Sequence, residues 1–183
     1  MEYSRVLEIA PRKFGCAEIK HDTPTSFDRL RGKLHGQPLE RDTYCRLLIN
    51  GSVVMTDAEF ERSTNMLPVI RAKGDALIAG LGIGLILEPF LKQCTSVTVI
   101  EKEPDVIELV GKNFYESTII HADIFEWLPA RKAKLFDTIY FDIWPNICMD
   151  DLREARTLHK KFRPYLRKGG YMESWCRIAC FYR

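Results

Sequence analysis

Between residues 75 and 101 the sequence runs Ala76-Leu77-Ile78-Ala79, then Gly80-Leu81-Gly82-Ile83-Gly84, then Leu85-Ile86-Leu87-Glu88-Pro89-Phe90-Leu91, and finally Val97-Thr98-Val99-Ile100-Glu101. Short apolar runs bounded by turn residues read as buried strands, and the longer apolar stretch between them reads as a helix. Strand, glycine turn, helix, strand is a crossover unit, which belongs to a parallel sheet with helices on its faces. The chain therefore contains an α/β core built around this turn.

Glycine at every second position lets the backbone fold tightly at the end of the strand and lets a ligand lie against it with no Cβ in the way. A nucleotide-like cofactor is the natural occupant. Glu101, closing the second strand, stands where such folds place a carboxylate that accepts hydrogen bonds from both ribose hydroxyls. A dinucleotide fingerprint would require glycine at the position of Leu85, so the NAD reading is disfavoured.

With 183 residues and 46% hydrophobic content, the chain can bury a full core, and we expect one domain with an N-terminal appendage. A net charge of +2 provides no global field for nucleic acid or membrane. Arg153, Arg156, Lys160, Lys161, Arg163, Arg167 and Lys168 crowd one predicted helix, where they form a solvated face or a surface for an anionic partner. The six cysteines show neither a C-x-x-C pair nor a histidine at zinc-finger spacing, and read as thiols in a reducing compartment. Met1-Glu2-Tyr3-Ser4-Arg5 leads into no apolar signal core, and no run approaches the roughly 18 apolar residues that span a bilayer. The expectation is a soluble, cytoplasmic protein.

Residues 1–57 form a β-hairpin region and residues 58–183 the α/β domain. In the first, Val6-Leu7-Glu8-Ile9 and Ala17-Glu18-Ile19-Lys20 read as short strands, with turns at residues 22–26 and 36–38. Asn50-Gly51 between Tyr44-Cys45-Arg46-Leu47-Leu48-Ile49 and Ser52-Val53-Val54-Met55 predicts a hairpin with a primed turn. Thr56 or Asp57 can cap a helix running through Glu59, Phe60, Asn65 and Met66. After Glu101, a helix opens at Pro104-Asp105, strands follow at residues 118–123 and 136–142, a long helix covers about residues 150–166 and stops at Gly169-Gly170, and residues 171–175 form a fifth strand. No metal site or covalent nucleophile is indicated. His121 sits in a strand pattern and reads as a core residue, whereas His21, His35 and His159 have no partner spacing.

Strand ends carrying Gly80, Gly82 and Gly84, then Glu101, then Asp123, then Asp142 resemble the series of the class I S-adenosylmethionine-dependent methyltransferases, over residues 75–175. The resemblance implies a Rossmann-like sheet with S-adenosylmethionine as cofactor. The glycine turn would pass under the methionine part, Glu101 with Lys102 beside it would hold the ribose, Asp123 with Ile124 would bind the adenine, and Asp142 would face the methionine amino group or the substrate. Residues 48–60 resemble the hairpin and helix of spermidine synthases, and Thr56-Asp57-Ala58-Glu59 with Asp142-Ile143-Trp144 resembles short stand-alone spermidine-synthase-like proteins. Spermidine synthases carry a second aspartate where this chain has Pro145, and an acid where it has Ala58. Methyltransferases of this class continue past the fifth strand into a helix and an antiparallel strand pair, for which this chain has only residues 176–183.

The functional expectation is methyl transfer from S-adenosylmethionine to a small-molecule acceptor. The alternatives are aminopropyl transfer of the spermidine-synthase kind, and a cofactor-binding protein without turnover. Methyl transfer is an in-line displacement that depends mainly on positioning, sometimes helped by a general base. Asp142 is the candidate base, or else a carboxylate that only binds the cofactor's amino group; Trp144 is a candidate pocket wall; Asp57, Glu59 and Asn65 are candidate lid residues over the glycine turn. No Asp/Asn-Pro-Pro-aromatic motif of base-amine methylation is present. A fifth strand without its antiparallel neighbours leaves a sheet edge, so cover by the N-terminal hairpins or association into a homodimer is expected.

Overall fold

The computed structural model describes residues 4–131, 133–145 and 149–175. In chain order its elements are α1 (Ser4–Glu8), β1 (Arg12–Phe14), β2 (Ala17–Asp22), α2 (Ser26–Leu34), β3 (Tyr44–Ile49), β4 (Ser52–Thr56), α3 (Glu59–Thr64), α4 (Met66–Arg71), β5 (Gly74–Ala79), α5 (Leu87–Gln93), β6 (Cys94–Glu101), α6 (Pro104–Val110), β7 (Thr118–His121), β8 (Phe136–Phe141), α7 (Met149–Phe162) and β9 (Leu166–Ser174).

The larger sheet has the order β7-β6-β5-β8-β9 with every pairing parallel. Its central strand is buried on both faces, and the period of two divides the core. Ala76 and Ile78 pack with Phe90, Val99, Val106 and Leu109 on one side. Leu77 and Ala79 pack with Ile139, Phe141, Leu158 and Phe162 on the other, under α7. Each large side chain removed from water in this way contributes about 1.5–3 kcal/mol. Strand order reverses between β5 and β8, which opens a crevice at their carboxyl ends.

The smaller sheet, β1-β2-β3-β4, is antiparallel throughout. Asn50 at φ 50° and Gly51 at φ 81° make the primed turn that joins β3 to β4. This sheet lies against α6: the Cys16 N–H donates to Asp105 at 2.8 Å, and Arg12 Nη2 donates to the Glu108 carbonyl at 2.6 Å. Ile19, Cys45 and Leu47 from β2 and β3 join the core on that side.

Four local expectations are corrected. Residues 6–9 are not a strand: residues 4–8 form α1, whose first turn is held by Glu88 through Ser4 Oγ at 3.2 Å and the Arg5 N–H at 3.1 Å. The turn after residue 22 opens into α2, started by a capping box in which the Asp28 N–H donates to Thr25 Oγ1 and the Thr25 N–H donates to Asp28. The helix after β4 is two short helices meeting at Asn65, and its N-cap is Ala58, without a side-chain cap from Thr56 or Asp57. Finally, α7 ends at Phe162 because Pro164 follows, and β9 begins at Leu166 and passes through Gly169 and Gly170.

That last shift takes Arg163, Arg167 and Lys168 off the helix, while Arg153, Arg156 and Lys160 remain exposed on α7 as a solvated face. Arg167 lies on β9 and pairs with Asp75 at 2.8 Å and with Asp137, while Lys161 donates to main-chain carbonyls. His121 is exposed at the end of β7 rather than a core residue, with Nε2 3.1 Å from the Lys102 carbonyl. His159 does have a partner, Ser174 Oγ at 2.9 Å. Cys16, Cys45 and Cys94 are free thiols, and Cys148, Cys176 and Cys180 lie outside the described residues. The N-terminal sheet sits on α6 and pairs no strand with β9, whose outer edge pairs with no strand among the described residues.

Candidate functional site

A cavity of about 480 Å³ occupies the crevice at the carboxyl ends of the parallel strands. Its floor comes from Gly80, Gly82, Glu101, Asp123 and Asp142, and its roof from Leu47, Ile49, Val54 and Met55 of the small sheet together with Glu61 and Asn65. The size falls within the roughly 300–1,000 Å³ of small-molecule sites.

The three glycines do different things. Gly80 has φ +95°, and a Cβ there would fall on the Asp142 carbonyl, so β5 and β8 close together at the crevice floor. Gly82 has φ +50°, and its missing Cβ leaves the space taken by the Met55 sulfur. Gly84, with φ +71°, stands outside the cavity lining; the space beside it holds the Phe114 ring. What the geometry gives it is packing against Phe114.

Glu101 is the best-fixed group of the floor. Its Oε2 accepts the Leu81 N–H at 2.7 Å and its Oε1 accepts the Glu103 N–H at 2.9 Å, with the residue only 8% exposed. Each carboxylate oxygen still has a lone pair to offer, spaced as a vicinal diol requires. Lys102 also lines the cavity. Asp123 Oδ1 accepts the Phe125 N–H at 2.7 Å, and Lys161 Nζ donates to the carbonyls of Ile124, at 3.2 Å, and Phe125. The loop carrying Asp123 and Ile124 is thus pinned from α7, by a lysine that the sequence showed only as part of a charge run.

Asp142, directly after β8, and Glu61, on α3, both line the cavity. Burial pushes the Asp142 carboxyl up to about 7, and its side chain has no hydrogen-bond donor among the described residues. Glu61 Oε1 accepts the Thr56 N–H at 2.9 Å and Thr56 Oγ1 at 3.1 Å, which leaves Oε2 without a donor among the described residues. Burial raises Glu61 to about 7 as well, with the negative charges of Asp142 and Asp57 adding and the Thr56 bonds opposing. Sequence reading passed over Glu61; its signal is the Thr56-to-Glu61 spacing that ties a strand end to the first turn of the next helix.

Of the expected lid residues only Asn65 lines the cavity, where it accepts from the Tyr140 hydroxyl at 2.8 Å. Asp57 is fully buried elsewhere, paired with Arg41 at 2.6 Å and Arg62 at 2.9 Å and accepting the Cys45 N–H at 2.9 Å. Glu59 pairs with Arg41 at 3.1 Å and accepts from the Tyr44 hydroxyl at 2.9 Å. Both hold the β3–β4–α3 junction and neither reaches the cavity. Trp144 is a wall residue, its indole N–H donating to Glu154 at 2.9 Å, and Trp175 closes the rim by donating to Thr64 Oγ1 at 3.0 Å.

Among the described residues no group of three or more His, Cys, Asp or Glu is placed to hold a metal ion, and no helix is long and apolar enough to cross a membrane. No protein-family model matches the chain, and no curated protein matches its sequence. Among solved structures, the N-methyltransferase NodS from Bradyrhizobium japonicum WM9 is similar with a TM-score of 0.50 and 23% identity, over 63% of this chain and 66% of that one. DhpI in complex with SAH aligns with a TM-score of 0.49 and 22% identity, over 62% and 53% of the two chains. A methyltransferase from Geobacter sulfurreducens aligns with a TM-score of 0.49 and 14% identity, over 67% and 62%. The chain thus spans about half to two thirds of these proteins. The NodS likeness shows the fold, the parallel α/β sheet of the class I methyltransferases.

Proposed function

We propose that this chain binds S-adenosylmethionine and transfers its methyl group to a small-molecule acceptor. The carrying observation is the doubly anchored Glu101 carboxylate on the floor of a cavity that also exposes Gly80, Gly82, Asp123 and Asp142. The lining fits a cationic cofactor in charge as well: Glu61, Glu101, Glu103, Asp123, Asp142 and Glu154 face it with Lys102 as the one cation among the described residues. The similar fold of NodS belongs to an N-methyltransferase.

When bound, the cofactor supplies a methyl group on a positively charged sulfur. The protein's own part is to position and to exclude water. Glu101 would hold the ribose hydroxyls, Asp123 the adenine amine, and Asp142 the amino group of the methionine part. The apolar roof of Leu47, Ile49, Val54 and Met55 keeps water out of the cavity.

A second reading, aminopropyl transfer, draws on that same roof, since the hairpin resembles the one in spermidine synthases; Pro145 in place of a second aspartate argues against it. We further propose a cytoplasmic homodimer. Its support is the edge of β9, unpaired among the described residues, and the exposed stripe Phe27, Leu30 and Leu34 on α2, a helix with no buried residue.

Calorimetric titration with S-adenosylmethionine and S-adenosylhomocysteine tests the cofactor. Both should bind, and Glu101→Gln should weaken both by about tenfold or more, the usual loss when a charge-assisted hydrogen-bond acceptor is neutralised. Absence of binding by the wild-type chain would overturn the proposal.

A further inference from the structure

The cavity holds more negative charge than the proposed cofactor uses. Glu101, Asp123 and Asp142 each have a part of that molecule to meet. Glu61 has none, and it lines the same cavity near enough to Asp142 for the two negative charges to repel. Its Oε1 is committed to Thr56, so the free oxygen Oε2 is available to a ligand. Trp144 and Trp175 line the same cavity, and an indole is the best aromatic partner for a cation.

We propose that Glu61 is the acceptor-binding residue of this site and that the acceptor is a small aliphatic or arylalkyl amine, bound as its ammonium ion. The inference rests on the methyltransferase reading and adds the chemical class of the second substrate. A neutral hydroxyl acceptor would leave Glu61 and Asp142 as two buried carboxylates in one cavity, an arrangement that resists ionisation of both. An ammonium between them relieves this. It donates to Glu61 Oε2, lies beside the tryptophans, and leaves Asp142 to the cofactor. The charged groups near Glu61 are Asp142, directly after β8, and Asp57 at the β4–α3 junction, which Arg41 and Arg62 already pair; Lys102 lines the same cavity after β6.

Because burial raises both carboxyls to about 7, entry of an ammonium below neutrality must expel a proton. That release can be read without turnover.

The experiment is calorimetric titration of the full chain, with and without saturating S-adenosylhomocysteine. The probes are n-butylamine and 2-phenylethylamine, against 1-butanol and 2-phenylethanol as neutral counterparts. The amines should bind at least about tenfold more tightly than the alcohols, and at about pH 6.5 their heats should vary between buffers of different ionisation enthalpy in the sense of proton release. Glu61→Gln, whose amide oxygen still accepts from Thr56, should weaken amine binding by about thirtyfold and leave S-adenosylhomocysteine binding intact. Equal binding of amines and alcohols, or amine binding untouched in Glu61→Gln, overturns the inference while leaving the cofactor proposal standing. If S-adenosylhomocysteine fails to bind, the cofactor proposal falls, and amine binding with proton release in its absence still decides the role of Glu61. The wild-type proton release needs no variant, so a poorly folding Glu61→Gln does not spare the proposal.

Discussion

The Tyr140 hydroxyl donates to Asn65 Oδ1 across 2.8 Å of buried space, fastening the α3–α4 joint to the central sheet two residues before Asp142. Asn65 is 1% exposed and also donates through Nδ2 to the Glu61 carbonyl at 3.0 Å, so one side chain ties the roof carboxylate to the floor strand. Tyr140→Phe leaves that oxygen buried without its donor. The expected cost is about 1–3 kcal/mol, read as a lower denaturation midpoint at unchanged slope; a neutral result would mean water replaces the hydroxyl.

Asp57 carries a heavier load. It is a fully buried carboxylate between Arg41 and Arg62 with a main-chain bond to Cys45. Asp57→Ala strands two guanidinium groups at a strand junction and should destabilise by about 3–5 kcal/mol. Asp42→Ala, at an exposed ion pair with Arg29, should change stability by less than about 1 kcal/mol. Urea unfolding of the two variants in parallel checks the contrast.

The raised carboxyls set a pH dependence of definite sign. Glu61 and Asp142 bind protons up to about 7 in the folded chain, whereas ordinary carboxyls release theirs near 4. Between those values the folded state holds more protons than the unfolded one, so unfolding free energy falls as pH rises through the window. The Glu61→Gln/Asp142→Asn double variant should flatten this slope relative to wild type. A wild-type stability that climbs from about pH 5 to pH 7, with the variant parallel to it, would contradict the burial described.

Two glycines with positive φ offer a matched comparison. Gly51 sits in open space, so Gly51→Ala meets only the backbone penalty of about 1–2 kcal/mol. Gly84→Ala pays that penalty and also displaces the Phe114 ring from the core, and should cost about 3 kcal/mol or more. Thermal unfolding should rank them in this order.

The β9 edge, unpaired among the described residues, and the α2 stripe bear on assembly. Light scattering at micromolar concentration should give a mass above the 21.2 kDa of one chain. Deletion of residues 178–183, which lie outside the described residues, should lower that mass or cause aggregation if the tail forms the contact. Substitution of Leu30 and Leu34 by Glu should do so if α2 forms it. A wild-type protein at monomer mass throughout would remove the dimer.

The sheet was legible because its signals are local and redundant. Residues 76–79 are apolar at every position, as a strand buried on both faces requires, and the glycine turn and the acids at 101, 123 and 142 follow at strand ends. Asn50-Gly51 was legible because few dipeptides tolerate positive φ twice. The roof was less so. Asp57, Glu59 and Glu61 are three acids within five positions, and only the pairing of β3 with β4, which brings Arg41 to Asp57 and Glu59, decides which of them turns toward the cavity. Likewise Lys161 reads as one of a row of cations until α7 is laid beside the Asp123 loop. The capping box at Thr25 was present in the sequence, but α2 buries no residue, so no apolar stripe facing a core accompanied it.

The contact between Met55 and Gly82 makes two distant positions vary as one. The thioether fills the volume that any side chain at 82 would need, so substitution there is open only to a chain that has already shortened residue 55. A Gly82→Ala variant should recover packing when Met55 becomes Ala, although the positive φ at 82 remains unfavourable. In any set of descendants of this sequence, the pair records whether the hairpin still closes down on the turn. Divergence at both positions together would mark a lineage that has rebuilt its roof.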